Sequence, residues 1–237
     1  LASRLSEDPS RRVLLLEAGP DLKPGHEPAA ILDMYPGRAA FDSANHWPAV
    51  RARFAPLSHN DPASWPAATA YAQARIMGGG DSAGGQMTAG LALWLRDYHL
   101  PQLTAMVMIY PVFGSDVNTA SALRNAEAPC LTREEMIYFL GSFLGPEGGP
   151  NWNDPYAVPL LADLHDLPPA FIAVAAHDPL YDDGVAFHQR MLEAGNRSAL
   201  REEPVLTHSY MRARHVSGPA GEAFAAIVEA IREFTRN

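Results

Sequence analysis

Short apolar runs alternate with stretches of helical spacing along this chain, and turn residues separate them. Arg12 to Glu17 (RVLLLE) is an apolar run closed by Gly19-Pro20, which predicts a buried strand. Ala74-Arg75-Ile76-Met77 predicts a second short strand running into Gly78-Gly79-Gly80. From Ala83 to about Tyr98 the apolar residues Met87, Leu91, Trp94 and Leu95 recur at helical spacing, and Pro101 stops the helix. Leu103 to Tyr110 is a continuous apolar run ended by Pro111, as in a central parallel strand. Thr132 and Glu135 have capping-box spacing ahead of Met136, Ile137 and Phe139, so a helix is expected from there.

Ala170 to Ala176 predicts another buried strand, and a helix over about 183–194 ends at Gly195-Asn196. Leu200 to Thr207 is a more polar strand. A last helix over about 220–234 carries Phe224, Ile227, Val228, Ile231 and Phe234 on one face. Strands alternating with helices imply an α/β fold: a mostly parallel sheet with helices on both faces. Residues 20–70 have weak periodicity, and no arrangement follows from them.

Composition narrows the function classes. The chain has 237 residues, enough for one sizeable core, and a single domain over 1–237 is expected. A formal charge of −9 argues against a nucleic-acid surface. No apolar run reaches the roughly 18 residues of a membrane helix, and the first residues do not open a secretory signal. A single cysteine, Cys130, excludes an internal disulfide framework and fits a reducing, cytoplasmic setting. Most of the 21 prolines fall in the first 70 residues or between 129 and 179, so the regular elements must sit between prolines.

The chemistry concentrates at Gly80-Asp81-Ser82-Ala83-Gly84-Gly85, which contains G-x-S-x-G. A strand before it and a helix after it are the setting of a nucleophile elbow, a tight turn that exposes a serine at the carboxyl end of a sheet. Small neighbours let the backbone turn sharply there, and the helix N-terminus favours developing negative charge. A glycine-rich loop that binds an anion, or only turns the chain, is the plainer alternative. A serine alcohol needs a base, and the base needs an orienting acid. Asp178 follows strand 170–176, and His208 follows the strand ending at Thr207. Taken singly, Asp178 reads as a turn residue before proline and His208 as a loop histidine. Among rivals, His215 sits in the basic run Arg212-Ala213-Arg214, and alternation points His177 away from Asp178. Asp182 and Asp183 read as N-terminal charges of the next helix.

With these segments in hand, residues 80 to about 235 resemble the hormone-sensitive-lipase-like carboxylesterases of the α/β-hydrolase fold. The resemblance rests on GDSAGG (80–85), MVMIYPV (106–112), HDPLYDDG (177–184) and THSYM (207–211). It implies Ser82 as nucleophile, Asp178 as orienting acid and His208 as general base, with no metal or organic cofactor. Ser209-Tyr210 stands where the family pattern has Gly-Phe. The implied activity is hydrolysis of short-chain acyl esters, with a small-molecule ester as partner. A catalytically impaired hydrolase fold serving as a binding module is the alternative.

Residues 1–79 resemble something else, a fragment of a glucose-methanol-choline oxidoreductase. LASRLSEDPSRRVLLLEAGPD (1–21) is similar to its flavin-binding domain, and QARIMGGG (73–80) to its approach to the flavin. Glu17 would then hold the cofactor's ribose. No G-x-G-x-x-G loop precedes it to cradle a pyrophosphate, so flavin is not expected to bind and a flavin-dependent oxidoreductase is the remote reading. A fusion joined near Gly78 to Met87 is implied. The esterase family's H-G-G-G oxyanion segment has no counterpart here. The backbone N–H of Ala83 is the expected first oxyanion donor, and the loop at Gly19 the candidate second, since Pro20 has no N–H. Residues 117–160 are expected to form a reduced cap lining an apolar pocket. Strand 200–207 is a candidate sheet edge for a homodimer.

Overall fold

The structure, a computed structural model, describes residues 76–236. The expected strand 12–17 and the loop around Gly19 lie outside the described residues. Within them, β1 (Met77–Asp81) is followed by α1 (Ala83–Asp97), β2 (Ala105–Ile109), α2 (Ala120–Arg124) and α3 (Arg133–Leu144). Next come β3 (Ala170–His177), α4 (Tyr181–Glu193), β4 (Ser198–Thr207) and α5 (Gly218–Arg236). The four strands form one sheet in the order β1-β2-β3-β4, and every neighbouring pair is parallel. Parallel neighbours need crossover connections, and the helices between the strands supply them. No helix among the described residues is long and apolar enough to cross a membrane.

Most expected elements form where the apolar pattern put them, and the exceptions have physical reasons. Of the strand expected over 74–77, residues 74–75 lie outside the described residues; β1 is Met77–Asp81, so the glycines belong to the strand itself. They do so because side chains would not fit: a Cβ on Gly78 would lie 2.7 Å from Leu103 Cδ1, and one on Gly79 3.1 Å from the Val107 carbonyl. In α1 the large apolar residues Met87, Leu91 and Trp94 are exposed, while Gly85, Ala89, Ala92 and Leu93 are buried. The helix lies so close to the sheet that small residues form most of its contact face. α4 begins at Tyr181, two residues earlier than the pattern suggested, and β4 begins at Ser198. The capping box at Thr132 and Glu135 is present in full, each satisfying the other's backbone N–H.

The main core sits on one face of the sheet. Met106 and Met108 of β2 and Ile172 and Val174 of β3 pack there against Ala89, Ala92 and Leu93 of α1 and Phe187 and Met191 of α4. Phe113, just after β2, stacks on Phe187 with ring centroids 4.0 Å apart. α5 lies against β2 and β4, with Ile227 and Val228 buried. α4 crosses β3 closely at Gly184, where an added Cβ would lie 2.3 Å from Val174 Cγ1. Valine is stiff at χ1 and cannot swing away freely. Gly184→Ala is therefore expected to destabilise the protein by about 1–3 kcal/mol. Urea unfolding of Gly184→Ala, Val174→Ala and the double variant checks it: the double should lose less than the sum of the singles. Strict additivity would show that this contact is not the cause.

Candidate active site

Three strands end at the same edge of the sheet, and the residue after each strand carries a reactive side chain. Ser82 follows β1, Asp178 follows β3 and His208 follows β4. Register makes them neighbours: Asp81 pairs with Ile109 of β2, and the final residues of β3 and β4, His177 and Thr207, pair with each other. His208 Nε2 lies 3.0 Å from Ser82 Oγ, and His208 Nδ1 lies 2.7 Å from Asp178 Oδ2. The sequence-predicted Ser82, Asp178 and His208 are thus brought into one hydrogen-bonded chain.

The serine turn is strained in a directed way. Ser82 has φ 55° and ψ −121°, a conformation that L residues seldom adopt. Its backbone N–H donates to the Ile109 carbonyl at 2.9 Å, which ties the turn to β2. Gly80 is required because a Cβ there would lie 2.5 Å from the Gly84 backbone, and one on Gly85 would lie 2.6 Å from Pro111 Cβ. A serine at a helix N-cap ordinarily bonds the first-turn N–H groups. Ser82 makes no such side-chain bond, so its hydroxyl is left to His208. Ala83 opens α1, where the first N–H groups have no intrahelical acceptor. Gly19, the other expected donor, lies outside the described residues.

The acid is held on all sides. Asp178 is 1% exposed; Oδ2 faces His208, and Oδ1 accepts the Leu180 N–H at 2.9 Å. Its loop is stitched to α2 by residues that the sequence did not single out. Asn125 donates its amide to the carbonyls of Ala176 and Asp178, and Ser121 Oγ donates to the Pro179 carbonyl. Asp182 Oδ2 accepts the Ser121 N–H in return. These bonds join residues 51 to 61 positions apart, so no local motif announces them.

The rivals fall elsewhere. His177 and His215 are exposed. Asp182 and Asp183 do lie in the first turn of α4, as expected of N-terminal charges, and Asp182 is half-buried. Asp183 is buried, and its Oδ2 accepts the N–H groups of Phe113 at 2.9 Å and Gly114 at 2.7 Å. It holds the loop after β2, the role that helix-end reasoning missed. A cavity of about 240 Å³ lined by Leu93, Arg96, Asp97 and Tyr156 sits at the C-terminal end of α1. That end is about 21 Å along the helix from Ser82, so this cavity does not serve the site.

Burial pushes the Asp183 carboxyl up to about 6 against the two N–H bonds that oppose the shift. Its folded value therefore exceeds its unfolded one, and the folded state binds more protons between pH 4 and 6. Stability from this group is present at low pH and is lost as pH rises through that window. Relative to Asp183→Asn, the wild type is expected to lose stability between pH 4 and 6.5. Urea midpoints at several pH values check this, and a constant difference would contradict it. Tyr210, which stands where the family resemblance has phenylalanine, buries its hydroxyl without a hydrogen-bond partner among the described residues. Tyr210→Phe should raise stability by about 1 kcal/mol in thermal unfolding, and a loss would show that the hydroxyl is satisfied.

Comparison with known proteins agrees with this layout. A family model described as alpha/beta hydrolase fold matches residues 25–212. A carboxylesterase, NlhH, from Mycobacterium tuberculosis (strain ATCC 25618 / H37Rv) is 37% identical over 154 residues, 63% of this chain and 47% of that protein. An ethyl acetate hydrolase from Pseudomonas putida is 31% identical, covering 65% of this chain and 48% of that one. Among solved structures, a bacterial heroin esterase matches with a TM-score of 0.64 and 30% identity over 69% of this chain and 52% of its own. The thermostable carboxylesterase EstE1, cloned from a metagenomic library, matches with a TM-score of 0.62 and 31% identity, over 66% and 53%. The chain spans about half the length of the curated relatives it matches. By the family match over 25–212, the parallel sheet and the serine turn at its carboxyl edge, this chain belongs to the alpha/beta hydrolase fold family.

Proposed function

We propose that the protein is a serine carboxylesterase that hydrolyses short-chain acyl esters through an acyl-enzyme. The observation that carries this reading is the unbroken hydrogen-bonded chain from Ser82 Oγ through His208 to a buried Asp178. The similarity to a carboxylesterase and an ethyl acetate hydrolase supports the substrate class. Ser82 Oγ attacks the ester carbonyl while His208 Nε2 takes its proton. The Asp178 carboxylate accepts from Nδ1–H, which keeps Nε2 free as the base and stabilises the imidazolium that forms. The tetrahedral oxyanion forms against the Ala83 N–H. Collapse expels the alcohol, which takes the proton back from His208. Water then attacks the acyl carbon, gives its proton to His208, and leaves the free acid with Ser82 restored.

This chemistry requires no metal or organic cofactor. The segment 117–160 is the proposed cap of the ester pocket. Its last part is seated on α1, where Gln86 Nε2 donates to the carbonyls of Tyr156 and Ala157. Activated esters are the substrates of choice for the test. Hydrolysis of p-nitrophenyl acetate and butyrate by wild type, Ser82→Ala, Asp178→Asn and His208→Ala tests the mechanism. Ser82→Ala and His208→Ala should lose at least about 10³-fold in kcat, and Asp178→Asn a comparable amount. Wild-type turnover by Ser82→Ala would overturn the mechanism. A folded wild type with no turnover would favour the binding-module reading.

A further inference from the structure

We propose that Tyr110 is a positioning residue whose side chain braces the turn carrying Ser82 against the turn carrying His208. This rests on the esterase reading of that site and adds a residue to it. Tyr110 follows β2 directly and is 1% exposed, with φ 36°, a left-handed backbone that a tyrosine adopts only when its surroundings impose it. Two neighbours impose it here. Its N–H donates to the Ala173 carbonyl of β3 at 2.6 Å, and its ring is enclosed by two rings from the histidine turn. The His208 imidazole centroid lies 4.8 Å away, tilted by 59°, and the Tyr210 ring meets it edge-on at 5.0 Å.

The hydroxyl reaches across to the other turn. It donates to Asp81 Oδ2 at 3.1 Å, and Asp81 is the residue immediately before Ser82. The Met211 backbone, three residues after His208, lies beside the same hydroxyl. One side chain therefore joins the residue before the serine, through its hydroxyl, to His208 and the short helical turn Tyr210–Ala213 that follows it, through its ring. The Ile109 carbonyl, one residue earlier, holds the Ser82 N–H. The end of β2 thus grips the serine turn by its backbone and the histidine by a ring face, and the Tyr110 side chain links the two. Asp178 steers the imidazole from Nδ1, while the hydrogen bonds of its loop run to α2 and His208. Tyr110 is the contact that sets how far Oγ stands from Nε2.

Burial, with the Asp81 carboxylate beside it, drives the Tyr110 hydroxyl well above the ordinary tyrosine range. It keeps its proton and so remains a donor to Asp81 at any working pH. The bond to Asp81 does not need a charge on the acceptor, only an oxygen in the right place. This separates a positioning role from an electrostatic one.

The test compares p-nitrophenyl acetate kinetics of wild type, Tyr110→Phe, Asp81→Ala, Asp81→Asn and Tyr110→Phe/Asp81→Ala, with Ser82→Ala alongside. Tyr110→Phe keeps the ring contacts and loses only the hydroxyl. Its kcat should fall about 10-fold with KM unchanged, as small misplacements of reacting groups do. Asp81→Ala should fall similarly, Asp81→Asn, which retains an acceptor oxygen, by less than about threefold. The double variant should be no worse than either single, because both remove one interaction. Wild-type kcat in both Tyr110→Phe and Asp81→Ala, beside an inactive Ser82→Ala, overturns the proposal and leaves the esterase reading standing. Additive losses in the double variant overturn it too. An active Ser82→Ala instead overturns the esterase reading. Asp81 is exposed, so its variants carry the test even where Tyr110→Phe folds poorly.

Discussion

The site depends on the register of parallel strands. Backbone hydrogen bonds align the carboxyl ends of β1, β3 and β4, and each strand releases its chain one residue before a reactive side chain. Residues 96 and 126 positions from Ser82 along the chain thereby come within a hydrogen-bonded relay. A slip of one residue in β4 would turn His208 to the other face of the sheet. The irregularity between Ala175 and His177 lies one step before Asp178, where the β3–β4 ladder is readjusted so that the two strand ends still meet.

Holding such a site costs stability that packing elsewhere must offset. Ser82, Tyr110 and Ser209 all carry positive φ, and each lies within two residues of a reacting or bracing group. Strain of this kind costs of order 1–3 kcal/mol per residue and persists only where neighbours over-determine it. The neighbours here are close: Gly80 against Gly84, Gly85 against Pro111, and α4 against β3 at Gly184. Buried carboxylates add to the burden, since a charge away from water must be met by hydrogen bonds. Asp178 is met by His208 and Leu180, and Asp183 by the N–H groups of Phe113 and Gly114.

Much of this was legible in the sequence because strand–turn–helix chemistry is local. The apolar runs at 103–110 and 170–176, the capping box at Thr132 and the G-x-S-x-G turn all depend on residues a few positions apart. Ser82, Asp178 and His208 could be named because each follows such a run. What stayed hidden is long-range. The bond from Tyr110 to Asp81, the hold of Asn125 on the acid loop and the burial of Asp183 join residues 29 to 70 positions apart. Helical spacing also misled in α1, where Met87, Leu91 and Trp94 face outward and mostly small residues, with Leu93, form the inner face. The glycines that the expected strand ran into themselves form β1, since a backbone ladder needs no side chains.

The central claim is that Ser82 is a nucleophile activated by His208. A fluorophosphonate reacts covalently with such a serine and with little else, so intact-protein mass followed by peptide mapping reads the claim directly. Wild type should take up one adduct per chain, mapped to Ser82, and His208→Ala should label at least about 10²-fold more slowly. Absence of an adduct, an adduct on another residue, or undiminished labelling of His208→Ala would contradict the account.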